Sequence, residues 1–183
     1  MVFKWAKRVF TASSDEVTAE RLYLALVEQS RQHAFYAEYG VSDSVDGRFD
    51  MIAVHLFLIL DRLHDEAKAA GASQALVNRV VADMDNSLRE MGVGDMSVGK
   101  KVQTMAKALY GRLEAYSQGF DEEDNESLVK ALERNVYRSE KPVGANAVRL
   151  AAYMRRQAAV LAEQSVEEFL AGHVQFADEG EAE

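Results

Sequence analysis

The segment GDMSVGKK at residues 94–101 has the G-x-x-x-x-G-K spacing with which a P-loop wraps backbone N–H groups around phosphate. Two features oppose that chemistry. Lys101 stands where a Ser or Thr must hold magnesium, and the upstream apolar residues Leu76, Val77, Val80, Met84 and Leu88 are spaced as in a helix, whereas a P-loop follows a parallel strand. The same residues read better as a joint between two helices, with Gly92 closing the first, Gly94 turning the chain and Asp95 or Ser97 capping the second. Asp83, Asp85 and Ser87 begin like a calcium loop, but Leu88 takes the place of the required glycine and Gly94 that of the bidentate Glu. The acidic run at 121–126 also lacks that pattern and reads as a solvated loop with Asn125 capping the next helix.

The other reactive side chains form no catalytic set. There is no cysteine, hence no thiolate nucleophile and no sulfur-ligated metal. His33, His55, His64 and His173 include no H-E-x-x-H and no close pair, and no G-x-S-x-G occurs. His55 falls within the most apolar stretch, where a neutral imidazole bonded to a neighbour is expected, and His64 reads as a helix-end cation. The expectation is a protein that acts by binding, without catalysis, metal or cofactor.

The elements that would position these residues are helical. With 183 residues, 48% hydrophobic and 28% charged, the chain is large enough for one core and far from disordered composition. Its single proline, Pro142, leaves the rest free to form helices. The spacing predicts an all-α fold, a single-domain bundle of about six to seven helices. Residues 1–12 would be a basic amphipathic arm, 13–172 the helical domain and 173–183 an acidic tail. The arm, MVFKWAKRVF and two more residues, lacks the apolar core of a secretion signal, and the greasy run at 51–60 is too short to span a bilayer. A cytoplasmic protein is expected, with peripheral contact to the inner membrane open to it through the arm. The net charge of −9 makes general binding to nucleic acid unfavourable.

Ser13 with Glu16 three residues later is a capping box, and a helix from there would end at Gly40. A second helix, with Phe49, Ile52, Leu56, Leu60 and Leu63 on one face and more apolar residues around it, should form the buried centre. A third would begin near Ser73 and a fourth run from about Ser97 to Gly119. A short helix through Leu128, Leu132 and Val136 would lead to a break at Pro142, and a last helix would start near Asn146. On the fourth helix, Lys100 and Lys107 fall opposite the apolar stripe of Val98, Val102, Met105 and Leu109, with Lys101 and Arg112 at its flanks, so a basic strip is expected.

Two phrases, FYAEYGVSDSVDGRFDMIAVHLFLILDRL and DMDNSLREMGVGDMSVGKKVQTMAKALYGRLEAY, resemble the ubiquinol–cytochrome c chaperone family of cytochrome b assembly factors. The resemblance covers residues 31–120 well and the final helix more weakly. It implies a helical chaperone, here a bacterial member, that binds newly made cytochrome b and assists assembly of the cytochrome bc1 complex, respiratory complex III. A small partner protein and the ribosome are further partners it implies. The rival reading is an RNA- or ribosome-associated factor that promotes cytochrome b synthesis through the basic face of the fourth helix.

Among the family-like positions, Tyr36, Tyr39, Lys100, Lys107, Tyr110 and Arg112 are expected to be exposed and to contact client or partner, since Tyr and Arg enrich interfaces. Gly40, Gly47, Gly92 and Gly94 are assigned to backbone geometry. Phe49 and His55 belong to the core; Arg48, Asp50, Asp83, Asp85, Arg89 and Asp95 hold the fold, with Asp85 or Asp95 capping or pairing with Arg48 or Arg89. The client is expected in a groove between the fourth helix and the first helix or its following loop, edged by methionine and aromatic side chains.

Overall fold

A computed structural model describes residues 13–138 and 144–177. It is the expected all-helical bundle, with no strand among the described residues. Five long helices, α1 (Ser14–Ser30), α3 (Val45–Leu63), α4 (Ala70–Glu90), α5 (Asp95–Asp121) and α7 (Ala145–Ala162), are joined through short ones, α2 (His33–Ala37), α6 (Glu126–Leu132) and α8 (Val166–Leu170). A 3-10 turn leads into α4, and a π turn at Glu133–Tyr137 ends α6.

Helix α3 is the centre, touching α1, α4, α5 and α7. Its residues from Ala53 to Ile59 are buried without interruption, as its all-round hydrophobicity requires. Helices α1 and α4 pack side by side and run the same way, for Gly71 lies against Asp15 and Arg79 bonds Glu20 at 2.5 Å. Arg79 also lies 3.9 Å over the Tyr23 ring. At Gly119 the backbone of α6 comes so close that an added Cβ would stand 2.7 Å from the Leu128 Cα, so only glycine lets α5 and α6 meet there.

Several boundaries differ from the sequence reading. The Ser13–Glu16 capping box forms, but α1 stops at Ser30 instead of Gly40. The Tyr36 hydroxyl donates to the Ser30 carbonyl at 2.8 Å, satisfying a helix-end acceptor and allowing the chain to break before α2. Helix α4 starts at Ala70, before Ser73, because the 3-10 turn feeds it. At α6, Asp124 accepts the Glu126 N–H, while Asn125 turns to Arg155. Helix α8, unread in the sequence, is announced by a second capping box at Ser165 and Glu168.

The expected tail is part of the packed structure as far as Ala177, whose backbone N–H and carbonyl bond the Gln157 side chain. The arm at 1–12, the break at Pro142 and residues 178–183 lie outside the described residues. No described helix is long and apolar enough to cross a membrane.

Candidate functional site

The joint between α4 and α5 is built by charge. Arg89 bonds Asp85 at 2.6 Å one turn back along α4 and Asp95 at 2.5 Å in the first turn of α5, so the two helices are clamped across Gly92, which has φ of 83°. This is the Arg89 pairing expected from the sequence. Gly94 is the N-cap of α5 with ordinary negative φ and open space around it, so glycine is not required there. The P-loop-like residues 95–101 lie within the first turns of α5, where the N–H groups from Ser97 onward are taken up by helical hydrogen bonds.

Beside this joint, α1, α3, α4 and α5 border a groove of about 350 Å³. Its floor is Phe49 and Ile52 of α3; α4 contributes Val80, Met84 and Leu88; Met105 of α5 closes one side. Val45 and Met91 stand at the rim, 60% and 53% exposed. Three methionines in one concave surface offer an adaptable, polarisable lining that suits apolar side chains of varied shape. Met84 and Met91 are seven residues apart, two helical turns, which places both on one face of the chain.

The lining of the groove also carries charge. Asp83 and Glu90 line it from α4. Burial, assisted by the Asp83 carboxylate, pushes the Tyr23 phenol well above its usual range, so it stays a neutral hydroxyl. Arg31 and Arg48 line it from α1 and α3, and both also line an adjoining cavity of about 620 Å³ with His33, Tyr36 and Asp43. Arg48 pairs with Asp43 at 2.8 Å. The Ser44 hydroxyl accepts the Gly47 N–H at 3.1 Å and so starts α3 beneath this cavity. A side chain at Gly47 would collide with the Ser42 carbonyl.

Beneath the groove lies a buried ionic cluster. Asp50 is fully buried; Arg112 of α5 reaches its Oδ1 through Nε at 3.0 Å and Nη2 at 2.9 Å, and Arg138 Nη1 stands 2.7 Å from Oδ2. Burial pushes the Asp50 carboxyl up to about 6 against the downward pull of the two arginines. The Arg112 guanidinium also lies 5.1 Å over the Phe49 ring, tying the groove floor to α5. Arg138 is the one described non-glycine residue with positive φ, 46°, and its ion pair holds it in that unusual backbone conformation.

The sequence-expected contact residues therefore divide. Arg112 is corrected from exposed to internal, its side chain 13% exposed and committed to Asp50. Tyr39 is corrected likewise: it is 4% exposed, packed against Phe35 and Tyr153, with Arg149 4.8 Å from its ring. Tyr36 is half-buried and lines the cavity beside Arg48. Lys100, Lys107 and Tyr110 are exposed, and by helical register the two lysines point away from the side of α5 that presents Met105. The structure thus separates a basic strip from the groove. Arg31 and Val45 belong to the groove but were not singled out, and Met91, expected from its spacing to be buried in the third helix, is corrected to the exposed rim, since α4 ends before it.

His55 is in the core, as expected. Its Nδ1 lies 2.8 Å from the Met51 carbonyl and its Nε2 2.8 Å from the Tyr153 hydroxyl. Burial lowers its pKa to about 4, so the ring is neutral at pH 7. A carbonyl can only accept, so we assign the proton to Nδ1, and the Tyr153 hydroxyl donates to Nε2.

Similarity to known proteins agrees with this architecture. The family model "Ubiquinol-cytochrome C chaperone" matches residues 37–176. Ubiquinol-cytochrome-c reductase complex assembly factor 1 of Xenopus laevis is 22% identical over 78% of this chain and 71% of its own. The proteins of the same name from Drosophila melanogaster and Mus musculus are also 22% identical, but only 58% and 52% of their lengths are matched. The crystal structure of the Cbp3 homolog from Brucella abortus superposes with a TM-score of 0.82 at 34% identity, covering 93% of this chain and 94% of that one. With most of its helical domain matched by the family model, the chain belongs to the ubiquinol-cytochrome c chaperone family.

Proposed function

We propose that this protein is an assembly factor for the cytochrome bc1 complex that holds an apolar segment of unassembled cytochrome b in the groove between α1, α3, α4 and α5, acting by binding and not by catalysis. The observation that carries the reading is the groove itself: an open, methionine-lined apolar surface on the described domain, with charged residues in its lining. Relatives named as assembly factors of ubiquinol-cytochrome c reductase support a client drawn from that complex. A transmembrane segment awaiting insertion needs such cover, because its apolar surface would otherwise face water.

The exposed residues Lys100, Lys107 and Tyr110 form a second surface, suited to a small partner protein or the ribosome. Their separation from the groove allows client and partner to bind together. The protein would work in the cytoplasm or at the inner membrane surface. An RNA-binding role draws on the same two lysines, but the net charge of −9 opposes it.

Deletion of the gene tests the function. Selective loss of the cytochrome bc1 absorbance, with other cytochromes retained, is expected; an intact bc1 complex in the deletion strain contradicts it.

A further inference from the structure

The charges around the groove are unevenly placed, and that restricts what can fill it. Arg31 is the C-cap residue of α1; it is exposed and makes no ion pair among the described residues. Arg48 faces it as the other residue common to the groove and the adjoining cavity, and its only carboxylate partner among the described residues is Asp43. In this cavity the two guanidiniums outnumber the single carboxylate by one charge, before any charge on His33. At the side of the groove, Asp83 and Glu90 carry the opposite sign.

One surplus positive charge beside an apolar groove fits a single carboxylate. A phosphodiester-rich polymer or a multiply charged headgroup carries more negative charge than this single surplus balances. Guanidiniums also suit the task geometrically, since each presents parallel N–H donors that match a carboxylate. Resting on the client-binding reading above, we propose that the segment held in the groove carries an acidic side chain at one end of its apolar stretch, and that this carboxylate docks between Arg31 and Arg48. The apolar groove supplies affinity. The arginine pair adds a preference for a carboxylate at that point of the segment.

The arrangement gives Tyr36 a role as well. Its hydroxyl is spent on the Ser30 carbonyl, at the end of α1, and so fixes the helix terminus from which Arg31 projects. Tyr36 is thereby a positioning residue for the carboxylate site.

The test uses the full chain and two helical Leu/Ala peptides, labelled with fluorescein at the N-terminus and amidated at the C-terminus, that differ only in having Glu or Gln as the last residue, read by anisotropy. The Glu peptide is expected to bind about fivefold more tightly, the scale of a solvent-accessible ion pair. That preference should shrink with added salt. It should vanish in the Arg31→Gln/Arg48→Gln variant, which, folded by its circular dichroism, should bind the two peptides with equal affinity. Equal binding of the two peptides by the wild type, or a preference that survives in the double variant, overturns the proposal while leaving the groove reading in place. If neither peptide binds the wild type, both fall. Flotation of the wild type, but not the double variant, on phosphatidylglycerol vesicles, with no peptide preference, would assign the arginines to a lipid and also overturn it.

Discussion

Two regions along α3 treat their surroundings in opposite ways. His55 and Asp50 are themselves fully enclosed: a neutral imidazole is held between a carbonyl and a tyrosine, and a buried carboxylate is held by arginines from two other elements. Toward α1 and α4 the same helix presents Phe49 and Ile52 to a groove that nothing in the chain's described part fills. A buried polar network fixes one arrangement of helices, because each unpaired member would be costly. An open apolar surface costs stability and is kept where something else binds. The lesson is that the rigid side positions the open one, through Arg112, which touches both Asp50 and Phe49.

Breaking the closed side should have the largest effect. Asp50→Ala leaves Arg112 unpaired against the core and releases Arg138, and a loss of about 3–5 kcal/mol is expected in urea unfolding. A loss under 1 kcal/mol would mean that the cluster does not organise the bundle.

The second prediction concerns pH. His55 has a folded pKa near 4 against 6.5 for the free side chain, so the unfolded state binds more protons between those values. Its contribution is therefore fully present above about pH 6.5 and is lost as pH falls towards 4. The stability difference between wild type and His55→Gln should shrink by about 3 kcal/mol over that window. Asp50 has the opposite sign: its carboxyl is raised, so its ionisation weakens the fold as pH rises from about 4 to 6. Comparing His55→Gln and Asp50→Asn separates the two; acid limbs that coincide with wild type in both variants would contradict the assignments.

The smallest effect on stability belongs to the groove. Met91→Lys with Met105→Lys puts charges at positions that already meet solvent or border it, and a change within about 1 kcal/mol is expected in the same unfolding measurement. A much larger loss would make the groove part of the core and remove the contrast between the two sides.

Much of the fold was legible from local patterns, because those patterns are local physics. The Ser13–Glu16 box, the all-round apolarity of α3 and the Gly92 joint each depend on neighbours within a few residues. The break at Ser30 was not legible, since it depends on a hydroxyl from Tyr36 folding back; nor was α8 read, although Ser165 and Glu168 repeat the capping pattern of α1. Tyr39 and Arg112 show the limit more sharply. Residue type marks both as interface formers, yet long-range partners, Tyr153 and Asp50, draw them inside. The groove was anticipated as a place for methionine, but which methionines line it follows from the parallel packing of α1 on α4, a relation that sequence spacing does not contain.

The most direct test of the client-holding account is capture of newly made cytochrome b. Pulse-labelled cells expressing tagged wild-type protein should yield cytochrome b on affinity purification, and cells expressing Met91→Lys/Met105→Lys at equal level and equal melting temperature should yield several-fold less. Equal capture by the two proteins would show that the client binds elsewhere and would contradict the account.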